Sequence, residues 1–131
     1  MHNKANNNYL HTMIFDNSSI KAIHESPYKF VISSSGGGTN AISALMGVPG
    51  ASQSILESYV PYSRESLDIH LNKKPDHYCS LDTCLNMAAN AFKKSKQIDT
   101  TSKTKHLLGI SITANLATTY EKRGDHKFLS S

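Results

Sequence analysis

Apolar residues along this chain fall into short blocks, some spaced every three or four positions and some in unbroken runs, so the pattern alternates between helix and strand. Residues 16–20 hold several side chains able to cap a helix. Ile20, Ile23 and His24 share one helical face, which predicts a short helix running to about Glu25 and stopped by Pro27. Residues 28–33 are apolar and partly β-branched, a buried strand. After three glycines, Ala41, Ile42, Leu45 and Met46 form a helical stripe that ends near Gly47. Residues 48–52 form a turn, 54–58 one helical turn, and 59–62 a second short strand that Pro61 confines to an edge or an irregular position.

Residues 63–71 are helical, with Ser63 as the natural cap, and 72–76 are a loop. The clearest helix begins at Ser80. Leu81, Cys84, Leu85, Ala88 and Phe92 fall on one face, and Lys93 and Lys94 stand at its C-terminal end, where the helix dipole favours cations. Residues 98–105 form a polar loop, 106–113 the best strand of the chain, and 114–125 a long polar connection. A further strand opens at Lys127. Strands alternating with helices imply an α/β fold with a substantially parallel sheet.

Composition narrows this only a little. A length of 131 residues fits one domain with one core. Residues 1–15 are expected to be a disordered, Asn-rich leader, and 16–131 a single domain whose last strand and helix are incomplete. No apolar signal segment and no run of about 18 apolar residues is present, so a cytoplasmic protein with no membrane partner is expected. The formal charge of +4 is a modest excess, and Lys73-Lys74 and Lys93-Lys94 read as solvated lysines rather than a nucleic-acid face. Cys79 and Cys84 have no Cys or His partners at zinc-like spacing, so no metal site is expected, and reduced thiols are the default in a cytosolic protein.

The stretch with the most chemistry is Phe30 to Asn40. An apolar run leads through Ser33, Ser34 and Ser35 to Gly36, Gly37 and Gly38 and then into a helix. Glycines let the backbone approach a ligand closely, and the first turn of a helix offers unpaired N–H groups to phosphate or carboxylate. The segment reads as an anion or nucleotide site with candidate serine nucleophiles, or as a packing solution between strand and helix.

Three blocks, in order, resemble the CinA C-terminal domain and the nicotinamide-nucleotide amidases. Ser-Ser-Ser-Gly-Gly-Gly at 33–38 is similar to the family's Glu-Ser-Cys-Thr-Gly-Gly. Val-Pro-Gly-Ala-Ser at 48–52, followed by Val-Pro-Tyr-Ser at 60–63, is similar to its Val-Pro-Gly-Ala-Ser and Ala-Tyr-Ser. Gly-Ile-Ser-Ile-Thr-Ala at 109–114 is similar to its Gly-(apolar)-Ala-Val-Thr-Gly. The resemblance covers roughly residues 28–129 and marks a divergent branch.

The resemblance implies a three-layer α/β/α sandwich with a largely parallel sheet, a homodimer, and no cofactor. It also implies a nucleotide ligand, with hydrolysis of nicotinamide mononucleotide to nicotinate mononucleotide and ammonia. Aligning the glycines makes Ser34 the candidate nucleophile. Ser35 and the N–H groups of Gly36, Gly37, Gly38 and Thr39 would line the pocket, Tyr62 and Ser63 would stand across from it with Arg64 beside them, and Thr113 would lie at a strand's C-terminal end, where open α/β sheets place ligands.

The departures from the family pattern bear on chemistry. Ser33 replaces the acidic residue before the serine. Leu67 stands where the family has a lysine able to act as general base, and the nearby Arg64 stays protonated and cannot serve. The glycines after the central strand give way to Ala-Asn-Leu-Ala at 114–117. Two readings stand: a hydrolase with Ser34 attacking the carboxamide, or a catalytically inactive relative that keeps the nucleotide pocket or a dimerisation role. The cluster at 122–126, Lys-Arg-Gly-Asp-His, reads as a solvated loop or a phosphate contact.

Overall fold

The computed structural model describes residues 16–113, 116–122 and 126–130; the expected leader lies outside them. The elements run α1 (Asn17–Glu25), β1 (Lys29–Ser34), a 3-10 turn (Gly36–Gly38), α2 (Thr39–Met46), a second 3-10 turn (Ala51–Gln53), β2 (Ile55–Tyr59), α3 (Arg64–Leu71), α4 (Leu81–Ile98), a third 3-10 turn (Thr104–His106), β3 (Leu107–Ile112), β4 (Leu116–Tyr120) and β5 (His126–Ser130). Side-chain caps start three of the helices where the sequence offers them. Asp16 accepts from the Ser19 N–H, Ser63 from Ser66 and Ser80 from Thr83.

The five strands are ordered β2-β1-β3-β4-β5. β2, β1 and β3 are parallel, and β4 and β5 extend the sheet antiparallel beyond β3. Helices cover both faces. On one face Phe30 and Ile32 of β1 pack with Ile20 of α1, Leu45 of α2 and Val48, joined by Leu108, Ile110 and Ile112 of β3. On the other face α4 lies directly on β3. Gly109 permits that approach, because a Cβ there would collide with the backbone of Ala88 and Phe92. α3 then packs on α4 through Leu67, Leu71 and Met87. This is the three-layer α/β/α arrangement.

Two elements differ from the sequence expectation. β2 occupies 55–59, where a helical turn was expected, and the strand expected at 59–62 is instead its exit, ending before Pro61. Pairing with β1 overrides the local pattern, since an edge strand shows no continuous apolar run. β4 lies inside the segment expected to be a polar connection. Its Thr118 is buried and Thr119 pairs with Ile110, so its threonines serve as β-branched strand residues rather than as loop.

The β1–β2 register carries an irregularity with consequences for the site. Phe30 pairs with Ile55, but Val31 pairs with Glu57, so Leu56 is an extra residue. A one-residue bulge reverses which face the following side chains occupy. Ile55 joins the core under α1 and α2, whereas Glu57 and Tyr59 turn to the α3/α4 face.

The Val-Pro-Gly-Ala-Ser turn at 48–52 has a structural task here. Gly50 takes a left-handed φ of +99°, packed against His24. His24 is buried, donates from Nε2 to the Leu45 carbonyl (2.9 Å) and meets Ser54 Oγ at Nδ1 (2.6 Å), which ties α1 to the end of α2 and the start of β2.

Candidate functional site

β1 and β2 are parallel neighbours, yet the chain leaves β1 for α2 on one face of the sheet and leaves β2 for α3 on the other. Adjacent strands with diverging exits open a crevice at their carboxyl ends. The end of β3 flanks the other side of β1, where the Ser35 N–H donates to the Ile112 carbonyl at 3.0 Å. Ser34, the glycine loop and Thr113 therefore gather at the carboxyl end of the parallel strands. Tyr62, Ser63 and Arg64 follow β2 at the same end.

Ser34 is the last residue of β1 and is fully buried. Its Oγ has no hydrogen-bond partner among the described residues. Gly38 folds back over it: a Cβ on Gly38 would stand 2.5 Å from Ser34 Oγ and 2.8 Å from Ile112 Cγ2. The hydroxyl is thus enclosed by the loop, and among the described residues neither Tyr62 nor any His or Lys makes a hydrogen bond to it.

The loop itself is open. Gly36 has φ +68°, and Gly36, Gly37 and Thr39 are exposed. Neither the 3-10 turn nor α2 begins with a side-chain cap, in contrast to α1, α3 and α4. The i→i+3 bonds of the 3-10 turn take up the N–H groups of Gly38 and Thr39, and those of Gly36 and Gly37 enter the turn with no side chain as acceptor, the arrangement that suits an anion.

Ser63 is engaged in capping α3, with its Oγ accepting from the Ser66 N–H at 3.0 Å. The Arg64 guanidinium lies 5.2 Å from the Tyr78 ring centroid, and the Tyr78 hydroxyl donates to Asp68 at 2.9 Å. Tyr62 is 79% exposed. Thr113 stands one residue past β3 and is partly buried. Leu67, at the offset of the family lysine, is core and packs with Leu71 and Met87.

The pairing that does form was missed by sequence reasoning. Ser33, on the opposite face of β1 from Ser34, is fully buried, and its Oγ lies 3.3 Å from Nε2 of His70. The His70 ring meets the Tyr59 ring edge-on at 4.8 Å, and Asn90 Nδ2 donates to the His70 carbonyl at 3.0 Å. Burial lowers the His70 pKa, so the imidazole is neutral near pH 7. Burial, with a contribution from Glu57, pushes the Tyr59 phenol up to about 12. The available signal was helical: His70 lies three residues after Leu67 and one before Leu71, on the face that packs inward.

Among the described residues no cluster of three or more His, Cys, Asp or Glu is placed to hold a metal, and no helix is long and apolar enough to cross a membrane. Cys79 is exposed. Cys84 is buried 3.0 Å from Ser111 Oγ, and burial pushes its thiol pKa up.

No family model matches the chain, and no curated protein matches it. Solved structures do. The chain is similar to the competence/damage inducible protein CihA from Agrobacterium tumefaciens, with a TM-score of 0.60 at 16% identity over 85% of this chain and 74% of that one. It is also similar to a competence-damaged protein (CinA) superfamily protein from Escherichia coli, with a TM-score of 0.61 at 11% identity over 89% of this chain and 74% of that one. The chain therefore has the CinA-like α/β fold that its three sequence blocks implied.

Proposed function

We propose that this chain is a CinA-like module that holds the phosphate of a small nucleotide on its glycine loop and does not hydrolyse it. The observation that carries this reading is the state of Ser34: a fully buried hydroxyl under Gly38, with no hydrogen-bond partner among the described residues. Amide hydrolysis needs an accessible nucleophile, a base within hydrogen-bond reach and donors for the oxyanion. Here the position that would supply a lysine is Leu67, packed in the core. The N–H groups of the exposed Gly36 and Gly37 remain suited to a phosphate. Nicotinamide mononucleotide is the first ligand to try, because the motif resemblance points to it. A homodimer belongs to the same reading, supported by the large apolar side chains of Tyr62 and Ile69, 79% and 81% exposed.

One observation favours a second reading, amidase chemistry. A neutral His70 beside Ser33 is a hydroxyl–imidazole pair of the kind that activates nucleophiles, although Ser33 is buried. Ammonia release from nicotinamide mononucleotide separates the two. The binding reading expects the purified protein to match its Ser33→Ala and Ser34→Ala variants and the buffer blank. Release above the blank that either substitution abolishes would establish the amidase instead.

A further inference from the structure

We propose that the cleft between the edge strand β2 and helices α3 and α4 is a second binding site, for a small oxyanion-bearing metabolite, with Lys93 as its principal cation and the amides of Asn90 and Gln97 and the Tyr59 hydroxyl as its donors. The cleft has a volume of about 560 Å³, within the range of small-molecule sites. It lies on the α3/α4 face of the sheet, while the glycine loop feeds α2 on the other face. A ligand here would thus be distinct from one on the loop.

Three features built by different parts of the chain converge on it. The extra residue in β2 turns Glu57 and Tyr59 into the cleft; with regular pairing both would face the apolar core under α1 and α2. On α4, Asn90, Lys93, Lys94 and Gln97 fall at i, i+3, i+4 and i+7, one polar stripe along the opposite wall. His70 forms part of the lining and is fixed from behind by Ser33 and at its carbonyl by Asn90.

The charges select the ligand. Lys94 lies 3.8 Å from Glu57, a loose pair between partly exposed side chains, and Lys93 has no ion-pair partner among the described residues. Two ammonium groups against one carboxylate leave one positive charge, and the neutral His70 adds none. The high Tyr59 pKa keeps that hydroxyl protonated and able to donate. A single net cation surrounded by neutral donors matches a phosphate or carboxylate and not a cationic ligand.

The test uses the full chain labelled with nitrogen-15 and titrated separately with sodium phosphate, sodium acetate and, as an ionic-strength control, sodium chloride. Saturable shifts are expected at the amides of residues 57–59, 70 and 90–97 with phosphate or acetate; which of the two binds more tightly identifies the preferred oxyanion. Lys93→Ala should weaken that binding about fivefold or more. Lys96→Ala should leave it unchanged, since Lys96 lies over the Phe92 ring instead. Shifts that sodium chloride reproduces, or that survive Lys93→Ala, overturn the site. Shifts confined to residues 36–39 also overturn it while upholding the nucleotide loop.

Discussion

The Ser33 hydroxyl lies 3.3 Å from Nε2 of His70, 37 residues further along the chain, and the two join β1 to the last turn of α3 from inside the fold. His70 is held neutral by burial, so its folded-state pKa lies below the ordinary 6.5. Below that value the unfolded chain binds more protons than the folded one, so this contribution to stability is complete above 6.5 and is lost as pH falls through the folded-state pKa. Melting temperatures measured between pH 8 and pH 5 should drop on the acid side, and His70→Gln should flatten that drop. Identical pH profiles for the two proteins would contradict the account. Ser33→Ala should cost about 1 kcal/mol at neutral pH by denaturant titration.

Ser34 should behave in the opposite way. Its hydroxyl is buried and makes no hydrogen bond among the described residues, so an alanine removes a desolvated group without breaking a contact. Ser34→Ala is expected to be neutral or to stabilise the fold by up to about 1 kcal/mol. Chemical denaturation checks this, and a loss of more than about 1 kcal/mol would mean that the hydroxyl has a partner in solution.

A lysine at position 67 should not create amidase chemistry. Leu67 is 3% exposed among Leu71 and Met87. Leu67→Lys would put an ammonium group among these apolar side chains, and a loss of at least about 3 kcal/mol is expected, read as a lowered denaturation midpoint. A stable Leu67→Lys variant that released ammonia from nicotinamide mononucleotide would show that the side chain can reach Ser34 after all.

Two glycines should resist substitution for different reasons. Gly109→Ala sets a methyl against the fixed backbone of Ala88 and Phe92 and should prevent α4 from docking, with a loss of folded protein seen by circular dichroism. Gly38→Ala meets the Ser34 hydroxyl and the Ile112 side chain and should destabilise by roughly 1–3 kcal/mol. The double variant with Ser34→Gly should recover part of that loss, which a double-mutant cycle would measure.

The helices and the two central strands were legible because local signals agree with tertiary ones. Ser63 and Ser80 cap the helices they precede, and the apolar runs of β1 and β3 are the buried middle of the sheet. β2 was not legible. It is an edge strand carrying Glu57 and Ser58, and the bulge at Leu56 that aims Glu57 and Tyr59 exists only in its pairing with β1. β4 was hidden in the same way, because Thr118 reads as loop until β3 is beside it. At the site, the glycine loop could be read directly from composition. Its enclosure of Ser34 could not, since that depends on how Gly38 folds back between β1 and β3. The role of His70 needed the orientation of α3, which no spacing among the histidines reveals.

In the proposed function the glycine loop binds a nucleotide phosphate while Ser34 stays enclosed. The most direct measurement is a nitrogen-15 spectrum of the full chain titrated with nicotinamide mononucleotide, with ammonia assayed in the same tube. Saturable shifts of the amides at 36–39, retained in Ser34→Ala and with ammonia at the level of the blank, are the predicted result. Unmoved loop amides, or ammonia that accumulates only when Ser34 is present, would contradict it.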